Sequence, residues 1–96
     1  MTQTEIIDAL KTYKLSKSVQ YGIRALGVFG SIAKGNSNPT SDVDVVVQLD
    51  KQDLFNIIGI KQDLQELLHL PVDLVSYRPS MDPFLKKRID KDAVYV

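Results

Sequence analysis

At 96 residues the chain accommodates one domain, read over 1–96, and leaves no room for a second. Its 44% apolar and 25% charged residues are ordinary for a soluble globular protein, which excludes wholesale disorder and fibrous repeats. Basic and acidic residues balance to zero net charge, so bulk electrostatics predicts no direct nucleic-acid partner, and the absence of Cys leaves only oxygen or imidazole ligands for a metal.

In chain order, Met1 to Glu5 lacks a basic start followed by an apolar core, and no later run approaches the roughly 18 to 20 apolar residues that span a bilayer. The chain therefore reads as cytoplasmic. Thr2 and Glu5 have capping-box spacing, and Ile6, Ile7 and Leu10 behind them predict a helix over about residues 3–13. Leu15 to Gly22 reads as a connection. Arg24 to Phe29 is a buried strand running into a tight turn at Gly30-Ser31, and Gly35 to Ser41 is a loop. Asp42 to Leu49, with four valines, is a central strand.

Asp50 is positioned to cap a long helix carrying Leu54, Ile57, Ile58, Leu64, Leu67 and Leu68, with Gly59 as its weak point and Pro71 beyond its end. Val72 to Tyr77 forms a third strand. Ser80 then caps a short helix with Pro83 in its first turn and Phe84, Leu85 and Ile89 inward, and Ala93 to Val96 closes as an edge strand. This order predicts an α/β (α+β) domain, a small mixed β-sheet with helices packed on it.

Three features carry chemistry: Gly30-Ser31 with Lys34 close behind, the pair Asp42 and Asp44, and Asp73 inside an apolar strand. Residues two apart on a strand share a face, so Asp42 and Asp44 stand side by side and repel each other. Taken alone, they also fit a solvated sheet face. The surrounding valines argue instead for burial, where an uncompensated carboxylate is costly and a cation offsets the cost. Asp73 repeats the anomaly, and on a neighbouring strand it falls about 5 Å away. Oxygen ligands of this kind suit Mg²⁺, which completes its octahedron with water and phosphate, and two such ions form a clamp for displacement at phosphorus. Gly30 lets backbone N–H groups approach a phosphate, the Ser31 hydroxyl donates a further hydrogen bond and Lys34 adds a point charge. Without the carboxylates, the same segment reads as a strand-to-helix turn with Ser31 as cap.

Gly30-Ser31-Ile32-Ala33-Lys34-Gly35, a short polar loop and then Ser41-Asp42-Val43-Asp44 resembles the signature of the polymerase-β-type nucleotidyltransferase superfamily. More narrowly, it is similar to the minimal nucleotidyltransferases that act as antitoxins beside HEPN-domain ribonuclease toxins. The resemblance covers nearly the whole chain. It implies the nucleotidyltransferase fold, metal at Asp42 and Asp44, and Asp73 completing the site and helping to activate the acceptor hydroxyl. It also implies a triphosphate, that of ATP, on Gly30 and Ser31, with AMP passed to a tyrosine of a partner HEPN toxin. Lys34 stands where many members carry Arg, which keeps the charge and loses the bidentate fork.

Two other function classes fit the sequence less closely. One is a non-catalytic antitoxin that inhibits its partner by direct binding, against which the complete carboxylate set argues. The other is transfer to an antibiotic or to RNA, against which the missing acceptor domain and the zero net charge argue. His69 is expected to interact with a helix C-terminus rather than a metal, Lys86-Lys87-Arg88 to be a solvated face, and Tyr77 and Phe84 to be core aromatics.

Overall fold

The computed structural model describes residues 2–35 and 42–96, so the loop expected at Gly35–Ser41 lies outside the described residues from position 36 onward. Helix α1 (Gln3–Tyr21) starts at the predicted capping box, in which the Thr2 side chain accepts from the Glu5 N–H and the Glu5 carboxylate accepts from the Thr2 N–H. It runs eight residues beyond the expected end, through the segment read as a connection. Nothing between Leu15 and Tyr21 breaks a helix, but Leu15 and Val19 point to solvent, so these turns carry no apolar periodicity. Termination falls to Gly22, whose left-handed φ of 66° lets its N–H reach the Ser18 carbonyl.

Four strands follow: β1 (Ile23–Val28), β2 (Val43–Leu49), β3 (Val72–Ser76) and β4 (Val94–Tyr95). They form one mixed sheet in the order β3-β2-β1-β4, with β2 antiparallel to β1 and parallel to β3, and β4 antiparallel to β1. The valines of β2 are buried on both faces, as a central strand requires. Val43, Val45 and Val47 join Leu26 and Val28 beneath α1 and α3 (Leu54–Leu68), in a core with Ile6, Leu10, Ile60 and Leu64. Val46 and Phe29 face the other way, onto Met81 and onto Ile89 of α4 (Pro83–Asp92). A short helix α2 (Gly30–Ala33) occupies the turn after β1, and the Gln3 side-chain amide fixes it by donating to the Ile32 carbonyl at 2.8 Å.

Both later caps differ from expectation. Asp53 rather than Asp50 caps α3, accepting from the Phe55 N–H at 2.9 Å and from the Asn56 N–H at 3.4 Å. Asp50 instead pairs with Arg24 at 3.0 Å, and both side chains are exposed. Asp82 rather than Ser80 caps α4, with Pro83 in its first turn. The buried stripe of α3 is Ile60, Leu64 and Leu68, whereas Leu54, Ile58 and Leu67 are exposed. Gly59 does not interrupt this helix. A β-carbon there would sit 3.1 Å from the Tyr21 phenol oxygen, so its small size admits the end of α1. His69 ends α3 as a left-handed cap at φ 55°, its N–H reaching the Gln65 carbonyl at 2.9 Å.

Phe84 is 82% exposed, so it is not a core aromatic; Ile89 supplies the core contact of α4. Tyr77 is half-buried and donates its phenol proton to Asp90 at 2.7 Å. Among the described residues, no helix is long and apolar enough to cross a membrane.

Candidate active site

Strand parity determines which side of the sheet the carboxylates occupy. Asp44 shares its face with Val46, and Asp73 shares its face with Val75; both valines pack in the core beneath α4. Asp44 lies opposite Asp73 in the parallel β2–β3 ladder, so two carboxylates from adjacent strands meet at the end of the sheet. Asp42 precedes β2 by one residue and is exposed. Asp73 is exposed as well, and only Asp44 is half-buried, so the desolvation cost expected for the whole set falls on Asp44.

The electrostatics of Asp44 reflect this position. Burial raises its carboxyl above the ordinary range, the charge of Asp73 raises it further and Asp42 adds a smaller push in the same direction. Arg88 on α4 acts against them and favours the ionised form. A carboxylate held among like charges is suited to taking up a cation.

Gly30 lies directly against Asp44. It is buried, its φ is +69°, and a β-carbon built on it would overlap the Asp44 carboxylate. The Phe29 N–H donates to the Asp44 carbonyl at 3.0 Å, which fixes the end of β1 to the start of β2. Helix α2 therefore begins at the carboxylates, and the N–H groups of a helix's first turn have no partner within the helix. Ser31 is half-buried in that turn; the helix cap is Phe29, which makes no side-chain capping bond, and not Ser31. Lys34 stands at the opposite end of α2, exposed, with its ammonium 3.6 Å from Asp92.

The fold therefore gathers Gly30, Ser31, Asp42, Asp44 and Asp73 at one end of the sheet and sets Lys34 one helical turn away. Sequence reasoning missed Arg88 by treating Lys86-Lys87-Arg88 as a solvated face. Arg88 is exposed, yet it acts on Asp44. The available signal was that this is the one run of three basic residues in a chain of zero net charge.

Among the described residues, no three acidic, His or Cys side chains come together as a group that could hold a metal ion, so Asp42, Asp44 and Asp73 do not form such a group as they stand. The donor set fits a hard cation held in part by carboxylates and completed by water and phosphate oxygens, which is the habit of Mg²⁺.

The protein-family profile described as Polymerase beta, Nucleotidyltransferase matches residues 5–96. Protein adenylyltransferase MntA of Thermococcus cleftensis is 34% identical over 97 residues, covering 100% of this chain and 97% of its own. A solved structure of a candidate minimal nucleotidyltransferase is 30% identical and superposes with a TM-score of 0.80, covering 98% of this chain and 95% of its own. A crystal structure of a toxin-antitoxin with AMP-PNP superposes with a TM-score of 0.73 at 25% identity, covering 91% of this chain and 70% of its own.

Proposed function

The chain belongs to the polymerase beta nucleotidyltransferase family, and we propose that it transfers AMP from ATP to a tyrosine hydroxyl of a partner HEPN toxin, acting in the cytoplasm as antitoxin. The observation that carries this reading is the pairing of Asp44 with Asp73, with Gly30 pressed against Asp44. The relative named a protein adenylyltransferase and the similar toxin-antitoxin structure with AMP-PNP support an adenine nucleotide and a toxin as partner.

Asp42 and Asp44 would hold Mg²⁺, as one or two ions, and Asp73 completes the set. Held there, such a cation would supply charge neutralisation at the phosphates and favour ionisation of the acceptor hydroxyl. Gly30 leaves the backbone N–H groups at the start of α2 free to approach the triphosphate, and Ser31 adds a hydroxyl donor. The acceptor oxygen attacks the α-phosphorus. Asp73, exposed at the sheet's end, accepts the hydroxyl proton, while the bond to pyrophosphate breaks and the leaving oxygen keeps its electron pair. The partner brings its own surface to position the acceptor. With zero net charge, the chain has no bulk attraction for a nucleic-acid acceptor.

The test is label transfer from α-labelled ATP to a co-expressed HEPN protein, with Mg²⁺ or with a chelator, comparing wild type with Asp42→Asn/Asp44→Asn. Label on the partner that disappears in the double variant and with the chelator supports the reading. Partner inhibition that persists with no transfer from the wild type would instead establish an antitoxin that acts by binding alone.

A further inference from the structure

Helix α2 is too short to hold itself in place. Its four residues make one turn, closed by the Lys34 N–H on the Gly30 carbonyl at 3.2 Å, and one turn of helix does not persist on its own. It is held from outside. At its first end the Phe29 N–H donates to the Asp44 carbonyl at 3.0 Å and Gly30 lies against the Asp44 carboxylate. Ile32 buries its side chain in the core that α1 also fills. Gly30, with a φ of +69° and no side chain, makes that end a pivot rather than a clamp.

Gln3 closes the opposite end. Its side-chain nitrogen lies 2.8 Å from the Ile32 carbonyl and 3.3 Å from the Ala33 carbonyl, contacts that span 29 and 30 positions of chain. One amide nitrogen carries two N–H donors, which match two carbonyls at the end of a helix, where the helix itself supplies few donors. The amide stands on a firm base. Gln3 is the first residue of α1, beside the capping box of Thr2 and Glu5, and Ile6 and Leu10 root that helix in the core. The other hold on this end of α2 is the pair of Lys34 with Asp92 at 3.6 Å. The Lys34 side chain is 59% exposed, and a pair of that kind contributes little.

We propose that Gln3 is a positioning residue for the nucleotide: by holding the last carbonyls of α2 it stops the helix from turning about Gly30 and keeps Gly30 and Ser31 aimed at the triphosphate. The proposal rests on the nucleotidyltransferase reading, and in it Gln3 touches neither substrate nor metal. The two carbonyls ask for a donor. Glutamate has the shape of glutamine but, once ionised, offers only acceptors and pushes both carbonyls away. Methionine keeps the length with no donor, and lysine brings donors back on a longer stem.

The test follows transfer from ATP to the co-expressed HEPN partner across an ATP series near pH 8 with Mg²⁺, for wild type, Gln3→Glu, Gln3→Met and Gln3→Lys. ATP binding is measured by calorimetry in parallel. Thermal melts give the folded fraction at the assay temperature, and Gln3→Met carries the test should Gln3→Glu not fold. KM for ATP is expected to rise about tenfold in Gln3→Glu and about threefold to fivefold in Gln3→Met, with kcat per folded molecule within about twofold of wild type and Gln3→Lys recovering part of the loss. A merely structural role would lower the folded fraction, and with it kcat per total protein, while KM stayed unchanged; that result overturns the proposal. So does a kcat that falls per folded molecule at unchanged KM, which would place the effect of the amide on the chemical step. Wild type that transfers normally, with variants that match it, removes only the role of Gln3. Wild type that neither binds ATP nor transfers removes the nucleotidyltransferase reading and the proposal with it.

Discussion

Gly30 and Asp44 compete for one volume: the space a β-carbon would take on Gly30 is filled by a carboxylate oxygen of Asp44. Gly30→Ala must displace that carboxylate and also hold a left-handed φ that L side chains avoid. The variant is expected to lose about 1–3 kcal/mol of stability and about 100-fold in transfer. Gly27→Ala is the comparison, because its added carbon would lie 2.6 Å from the Val94 carbonyl oxygen on β4, away from the carboxylates. It should destabilise the fold while leaving transfer per folded molecule near wild type. Urea melts with activity normalised to folded protein separate the two, and full activity in Gly30→Ala would contradict the steric account.

The raised Asp44 carboxyl has a definite consequence for stability. Burial leads the shift, the charges of Asp73 and Asp42 add to it, and Arg88 opposes it. A carboxyl raised on folding binds its proton more tightly in the native state. The resulting stabilisation is full below the unfolded carboxylate range and is lost as pH rises through the folded value. Asp44→Asn carries no charge at any pH. Without metal, it should melt a few degrees above wild type near pH 8, and this advantage should shrink as pH falls toward about 4. Thermal melts in chelator across this range provide the check, and an offset independent of pH would remove repulsion as its cause.

Asp50 and Asp53 provide a third comparison. Asp53→Ala leaves the first N–H groups of α3 without their cap and should cost about 0.5–2 kcal/mol. Asp50→Ala breaks only an exposed ion pair with Arg24 and should cost about 0–1 kcal/mol. Denaturant titration of the two variants decides between them, and the reverse order would restore Asp50 as the cap.

The features of the sequence that could be read were those with a strong local cause. Thr2 and Glu5 announce the first helix because both partners of the capping box are present, and the valines of β2 announce a strand buried on both faces. The Asp44–Asp73 pairing was also within reach, since it needs only that β2 and β3 be parallel neighbours. Other features depended on tertiary contacts that no local window contains. The last turns of α1 carry almost no apolar pattern, and although Gly22 marks their end, what holds them in place becomes clear only once Tyr21 is seen fitting against Gly59. Asp50 and Asp53 are equally good caps in a string of letters; the backbone turn after β2 decides between them by bringing Asp50 to Arg24. Phe84 looks like core at helical spacing, but α4 meets the sheet chiefly through Ile89. Arg88 gains its connection to Asp44 from the packing of α4 on that face of the sheet, 44 positions along the chain.

The parallel alignment of β2 with β3 has a consequence for how such a chain can vary. Because side chains alternate, losing Val72 would turn the Asp73 carboxylate toward α1 and α3 and expose an apolar residue in its place. Losing both Pro71 and Val72 would restore the side but move the carboxylate two rungs out of line with Asp44. Length changes are therefore far better tolerated in the connections than within the strands, so the alignment of the carboxylates can be inherited unchanged while the chain between them drifts.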